Sequence, residues 1–321
     1  MSFRSHSFLH AATGAALALI LAPAAARAEF PEKPVEMTVL FGGSAQTTAQ
    51  VLADLMSKKL GEPVVAVSRP GGGGAIGYTY VKNTAADGYN IVWNSNSIST
   101  VHYQGNLPFD YKAFTPIARV SLEVPAVAVN ASSGWKTLHD MVEGTKKSGK
   151  RLKVGISGFG SFTHLTSAAL FKRLGLQVIY VPYGEGRAPA ELLGNRIDVA
   201  VQWPNQFVGE AKAGKLNILC VTSAKRIPLL PETPACDEAG AKGLDITMWR
   251  GLAAPSGTPP AVVKKLQEAA KEAVASPEFQ KAGQNLGFTP AFLPANEFGK
   301  VVQKDDAEIS KLMTDLNLKK K

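Results

Sequence analysis

Two stretches of the chain place small, hydroxyl-bearing and glycine residues where chemistry can be done. From Arg69 to Tyr78 the chain reads RPGGGGAIGY, directly after PVVAVS, an apolar run with the character of a β-strand. Gly72, Gly74 and Gly77 fit G-x-G-x-x-G, the spacing of a dinucleotide-binding turn. From Val154 to Leu165 it reads VGISGFGSFTHL, again a strand-like run, a tight turn and the start of a helix-like run. Any functional reading has to account for both.

A dinucleotide site also needs an acidic residue about 20 positions on, at the end of the next strand, to hold the ribose. The next strand-like run, YNIVWN, ends without one, and Asp87 belongs to the turn before it. The glycines then serve to turn the chain sharply and bring a helix close to a sheet. The second turn resembles a hydrolase nucleophile elbow, with Ser157 between strand and helix. However, Phe159 stands where G-x-S-x-G requires its second glycine. His164 is close in sequence to Ser157, and beyond residue 28 only His102 and His139 remain to complete a triad.

Ser157 and Ser161 suit anion binding better. A Gly/Ser turn that opens a helix aims free N–H groups and hydroxyls at one point, and the helix dipole favours negative charge there. FGGSAQTTAQ, from Phe41 to Gln50, has the same build. Two such ends facing across a cleft would grip a small carboxylate. The simpler alternative is that Ser44, Thr47, Ser161 and Thr163 only cap their own helices.

The elements around these turns alternate short β-branched runs with amphipathic ones, which indicates an α/β fold with largely parallel strands. VEMTVLF, PVVAVS, YNIVWN, ARVSLEVPAVAVN, RLKVGIS, QVIYV, RIDVAVQ and LNILCVTS read as strands. Helices are expected at TTAQVLADLMSKKLG and over residues 138–147, 163–174, 188–193, 204–213, 260–275, 278–286 and 295–313. With no single linker, two domains would be joined by strands passing between them, with AVAVN near Ala126 and TMWRGLAAP near Thr247 as candidates. That places residues 29–129 with 251–321 in one domain and 130–250 in the other.

Residues 1–28 have the pattern of an export signal: Arg4, an apolar run from Ala11 to Ala22, and Ala26-Arg27-Ala28 for cleavage before Glu29. The run is shorter than the about 20 residues needed to span a bilayer. The expected product is an exported, soluble chain of 293 residues. Without Arg4 and Arg27, the 35 basic residues fall to 33 against 26 acidic ones, a net charge of +7. The basic residues are scattered and no basic stripe interleaves with aromatics, so a nucleic-acid surface is not indicated. Cys220 and Cys236 match no metal-site spacing. An exported chain permits a bridge, but the reading adopted is two unpaired thiols, Cys220 being a small core residue.

A resemblance then spans the chain beyond the signal. PEKPVEMTVLFGG, PVVAVSRPGGGGAIG, DGYNIVWNS, LPFDYKAFTPIARV, LKVGISGFGSFTHLTSAALF, VPYGEGRAPAELLGNRIDVAVQ and GLAAPSGTPPAVVKKL resemble, in order, the tripartite tricarboxylate transporter substrate receptors, also called Bug receptors. The resemblance implies two Rossmann-like α/β domains with a ligand cleft between them, as in type II periplasmic binding proteins. It also implies no catalysis, no metal and no cofactor. The expected protein is a periplasmic monomer that closes on a small aliphatic or aromatic carboxylate and docks on membrane permease subunits.

The resemblance also implies roles for matching positions. Gly43, Ser44, Gln46 and Thr47 would hold a carboxylate, with Ser157, Gly158, Ser161, Phe162 and Thr163 opposite. Asn94, Ser95, Tyr183, Trp203 and Asn205 would form further wall, and His164 would act as a hydrogen-bonding residue. Gln46 and Gln50 stand where many members carry aspartate and arginine, which argues against an amino-acid ligand and leaves recognition to neutral donors. Two alternatives of other classes are an exported hydrolase using Ser157 and His164, and a sensor that docks on a membrane kinase.

Overall fold

The computed structural model describes residues 1–2, 29–184 and 186–320. All but the first two residues of the expected export signal thus lie outside the described residues. Strands β1 (Val35–Val39), β2 (Val64–Ser68), β3 (Asn90–Ser95), β4 (Phe114–Glu123), β10 (Met248–Pro255) and β11 (Phe288–Pro294) form a six-stranded sheet. Its order is β11-β4-β10-β3-β1-β2. Strands β5 (Ala126–Asn130), β6 (Leu152–Ile156), β7 (Val178–Pro182), β8 (Val199–Gln202) and β9 (Leu216–Val221) form a five-stranded sheet in the order β7-β6-β8-β5-β9. In the first sheet β1 is parallel to β2 and β3, while β10 runs antiparallel to β3 and β4.

The helices are α1 (Ser44–Leu60), α2 (Ala75–Lys82), α3 (Ser97–Tyr103), α4 (Leu138–Ser148), α5 (Phe162–Arg173), α6 (Ala188–Leu193), α7 (Val208–Lys212), α8 (Pro260–Ala275), α9 (Pro277–Leu286) and α10 (Ala295–Asp315). Their ends follow local chemistry. Helix α1 stops at Gly61, which takes the left-handed conformation and donates its N–H to Ser57. Helix α4 starts with a reciprocal capping box between Thr137 and Asp140. Separate apolar clusters cover the sheets. Leu40, Tyr78, Val92, Trp249 and Phe298 pack together on the first sheet, and Val127, Val154, Leu170, Val199 and Leu219 on the second. Fully burying each such side chain contributes about 1.5–3 kcal/mol.

The structure differs from the sequence reading in several elements. ARVSLEVPAVAVN, read as one strand, is two: β4 lies in the first sheet and β5 in the second, with Val124 and Pro125 between them. Proline has no N–H to donate to a ladder, so the pairing changes there. Strand β11 escaped notice because Pro290 and Pro294 lie within it; it is tolerated as an edge strand. Helix α3 lies in a Ser- and Asn-rich run whose helix propensity is low. The helix expected over 204–213 is a 3₁₀ turn at Pro204–Gln206 followed by α7.

The four-glycine turn is built on backbone freedom. Gly71, Gly72, Gly73 and Gly74 all have positive φ, between 58° and 124°. Gly77 has a different constraint. A Cβ there would sit 2.5 Å from Leu40 Cδ2 and 3.1 Å from the Arg69 carbonyl. Gly77→Ala should therefore cost about 1–3 kcal/mol by overpacking α2 against the sheet, measured as a shift in urea midpoint.

The expectation of two unpaired thiols is overturned: Cys220 and Cys236 form a disulfide, with Cα atoms 4.9 Å apart. The loop after β9 returns alongside it, so that Val221 N–H donates to Pro234 and Cys236 N–H to Val221, at 3.0 and 2.8 Å. Both sulfurs are buried in the second sheet's core. With 16 residues of separation, replacing both cysteines by alanine should lower unfolding free energy by about 3 kcal/mol. Denaturant titration of the oxidised wild type against the double variant measures this.

Candidate functional site

The site is assembled at one end of the strands of each sheet, where the chain leaves β1, β3, β6 and β8 and enters the antiparallel β10. On the second sheet, the turn after β6 leads into α5. Ser161 is the N-cap of α5: its Oγ accepts from His164 N–H at 3.3 Å and donates to the Gly158 carbonyl at 2.7 Å. Thr163 Oγ1 accepts from Ser157 N–H at 2.9 Å. The Ser157 hydroxyl donates to Gln202 Oε1, at the end of β8, at 3.2 Å. The turn is thus locked by its own hydroxyls.

Across from it stand the chain leaving β1 and the glycine turn. A cavity of about 240 Å³ is lined by Leu40, Phe41, Gly42, Pro70, Gly71 and Gly73 on one side and by Ser157, Gly158, Phe159, Ser161 and Gly184 on the other. This is below the about 300–1,000 Å³ of sites for drug-sized ligands, so it suits a small molecule. A much smaller inner space, about 10 Å³, adjoins it through the shared residues Phe41, Ser157 and Ser161. Its other walls are Ser97, Phe162, Thr163, Trp203, Met248 and Arg250. Phe162 and Trp203 stack with centroids 6.4 Å apart.

To the neutral donors expected from the sequence, the structure adds one cation. Arg250 is 1% exposed and holds Glu123 by two contacts of 3.1 Å, Nε to Oε1 and Nη2 to Oε2. Its guanidinium lies 5.8 Å from the Trp203 ring centroid. Removing one partner of such a buried pair costs about 3–5 kcal/mol, because it leaves an uncompensated charge.

Of the residues singled out in the sequence, Ser157, Gly158, Ser161, Phe162, Thr163 and Trp203 come together around these spaces. Gly43, Ser44, Gln46 and Thr47 line neither. Gly43, not Ser44, is the N-cap of α1, Thr47 Oγ1 bonds back to the Gly43 carbonyl, and Gln46 Nε2 donates to Ala66 O at 3.4 Å. Asn94 and Ser95 are buried in local bonds, Asn94 Oδ1 accepting from Tyr78 and from Ser95 N–H. Tyr183 packs against the core beside α6, and its neighbour Gly184 faces the cavity. Asn205 lies near Gly287, away from both spaces.

Residues 48–318 match the model of the tripartite tricarboxylate transporter family receptor. The chain belongs to that family. Protein BugT of Bordetella pertussis is 30% identical over 282 residues, covering 86% of each chain. The periplasmic binding protein BugD superposes with a TM-score of 0.83 at 30% identity, covering 91% of this chain and all of its own. MatC of Rhodopseudomonas palustris, solved with bound malate, gives 0.79 at 25% identity over 88% of this chain and 99% of its own.

Within this receptor, a hydrolase arrangement around Ser157 is not assembled. His164 Nδ1 is taken by the Gly160 N–H at 3.1 Å, and its ring is packed edge-on against Tyr180 and Phe159. No group of His, Cys, Asp and Glu among the described residues is arranged to hold a metal. Sequence reasoning missed Phe41, Ser97 and Arg250. The signal for Arg250 was available, as a lone charge inside the apolar strand TMWRGLAAP, where burial demands a partner.

Burial lowers His164 from 6.5 to about 4, favouring the neutral ring that accepts from Gly160. A depressed folded-state value means the contribution is fully present above about 6.5 and is lost as pH falls toward about 4, amounting to about 3 kcal/mol in all. His164→Gln should flatten that part of the acid limb when unfolding free energy is followed from pH 7 to pH 4.

Proposed function

We propose that this receptor captures a small organic carboxylate between two lobes, one built on each sheet, and hands it to membrane permease subunits. The observation that carries the reading is the cavity of about 240 Å³ walled from both sheets by glycine backbone, serine and aromatic side chains. Helix α5 points its N-terminus at that cavity, where the dipole and free N–H groups favour an anion. The malate in MatC supports the same ligand class. No helix among the described residues is long and apolar enough to cross a membrane, so the permease would be other polypeptides of the transporter. Export to the periplasm accords with the disulfide, which oxidising compartments sustain. Ligand would favour a closed arrangement of the lobes by binding it more tightly than an open one.

A thermal-shift screen of residues 29–321, refolded to remove carried-over ligand, tests this. The panel is malate, adipate, hexanoate, benzoate, citrate, glutamate and a nicotinamide dinucleotide. A ligand at 100 times its dissociation constant should add about 2.7 kcal/mol and raise the midpoint by several degrees. At least one carboxylate should do so and the dinucleotide should not. The reverse pattern would make the Gly71–Gly74 turn a cofactor loop and end the receptor reading.

A further inference from the structure

We infer that Arg250 reads the ligand's carboxylate, through the one edge of its guanidinium that the fold leaves free, so that the ligand enters acid group first with its body in the outer cavity. The inference rests on the receptor reading above. A guanidinium offers five N–H donors. Glu123 accepts from Nε and lies 3.1 Å from Nη2, while the buried Nη1 has no acceptor among the described residues.

Two more buried donors near it are in the same position. Trp203 Nε1 has no acceptor, and Trp203 lines the inner space together with Arg250. Gln202 Nε2 has none either, although its carbonyl oxygen accepts from Ser157. Buried donors without acceptors are costly, and the two on residues lining the inner space, Arg250 and Trp203, call for a group that brings acceptors and no competing protons. A carboxylate does so; an amide or a hydroxyl brings a donor of its own.

Size points the same way. The inner space, at about 10 Å³, holds about one water-sized sphere, the bulk of a single carboxylate oxygen and less than a phosphate. The second oxygen would then lie beside Ser157 and Ser161, which line both spaces and whose hydroxyls would turn from Gln202 and the Gly158 carbonyl to donate to it. The outer cavity has no charged side chain in its lining, so the body of the ligand within it is uncharged. Glu123 does not repel such a ligand as a free carboxylate would, because Arg250 already neutralises it.

The experiment is calorimetric titration of residues 29–321 with three acid and amide pairs: hexanoate and hexanamide, benzoate and benzamide, adipate and adipamide. Wild type should bind at least one acid about a hundredfold tighter than its amide, the size of a charge-assisted hydrogen bond in a buried site. Glu123→Gln/Arg250→Met removes the pair without stranding a charge; it should weaken the acid more than tenfold and bring acid and amide to within about tenfold. Arg250→Lys, which keeps the charge and loses the fork, should weaken the acid about tenfold and leave the amide unchanged, and it decides the matter if the double variant does not fold. Unchanged affinity for the acid in the folded variants overturns the inference and leaves the receptor intact. Binding of none of the six probes by wild type, with no carboxylate of the thermal-shift panel raising the midpoint either, removes the receptor reading and this inference with it.

Discussion

A buried guanidinium cannot be left without acceptors, and much of this structure is arranged around satisfying one. Glu123 is the last residue of β4, immediately before Val124 and Pro125 carry the chain from the first sheet to the second. Arg250 is the third residue of β10, where the chain has just returned. The ion pair therefore ties together the outgoing and returning strands at the place where they pass between the sheets. Its cost of desolvation is recovered only if both contacts keep good geometry, so β10 is pinned to β4 beside the register shift between Arg250 and Gly251.

The two walls of the cleft are built on different principles. On the second sheet, Thr163 accepts from the Ser157 N–H, Ser161 donates to the Gly158 carbonyl and Ser157 donates to Gln202, which fixes the turn. Rigid donors lose little freedom on binding, the usual source of affinity in a small site. On the first sheet the wall is glycine and apolar side chain: Gly42, Gly71 and Gly73 let backbone come close, and Phe41 and Pro70 exclude water. Arg69, at the start of the glycine turn, is spent on Glu36 at 2.8 Å and on the Tyr80 ring.

Local patterns were legible in the sequence and long-range ones were not. The helix over Pro260–Ala275 and the Ser157–Thr163 turn follow from periodicity and capping within a dozen residues. The resemblance to a receptor family carried the two-sheet α/β architecture. What stayed hidden depends on partners far apart in the chain: Glu123 and Arg250 are 127 positions apart, and Cys236 reaches Cys220 only because its loop folds back along β9. The sequence reading put the first-sheet wall at Gly43, Ser44, Gln46 and Thr47. Ser44 and Thr47 have the right chemistry, but the lining comes from Phe41 and Gly42, a matter of which way the chain turns before α1.

Helix α10 is the third connection between the sheets. Near its start, Phe298 and Val302 pack into the first sheet's cluster; near its end, Leu312 lies against the second sheet's cluster and Lys172 donates to the Asp315 carbonyl. Between them, Asp306 accepts from Ser99 and Tyr103 of α3 at 2.6 and 2.7 Å. A beam pinned at three points transmits torque. Rotation of one sheet against the other must either bend the beam or slide its far end across an apolar face, and sliding costs less than breaking helical hydrogen bonds. Resistance to such a rotation is thereby set some distance from the two spaces, in the last two turns of a helix that lines neither of them.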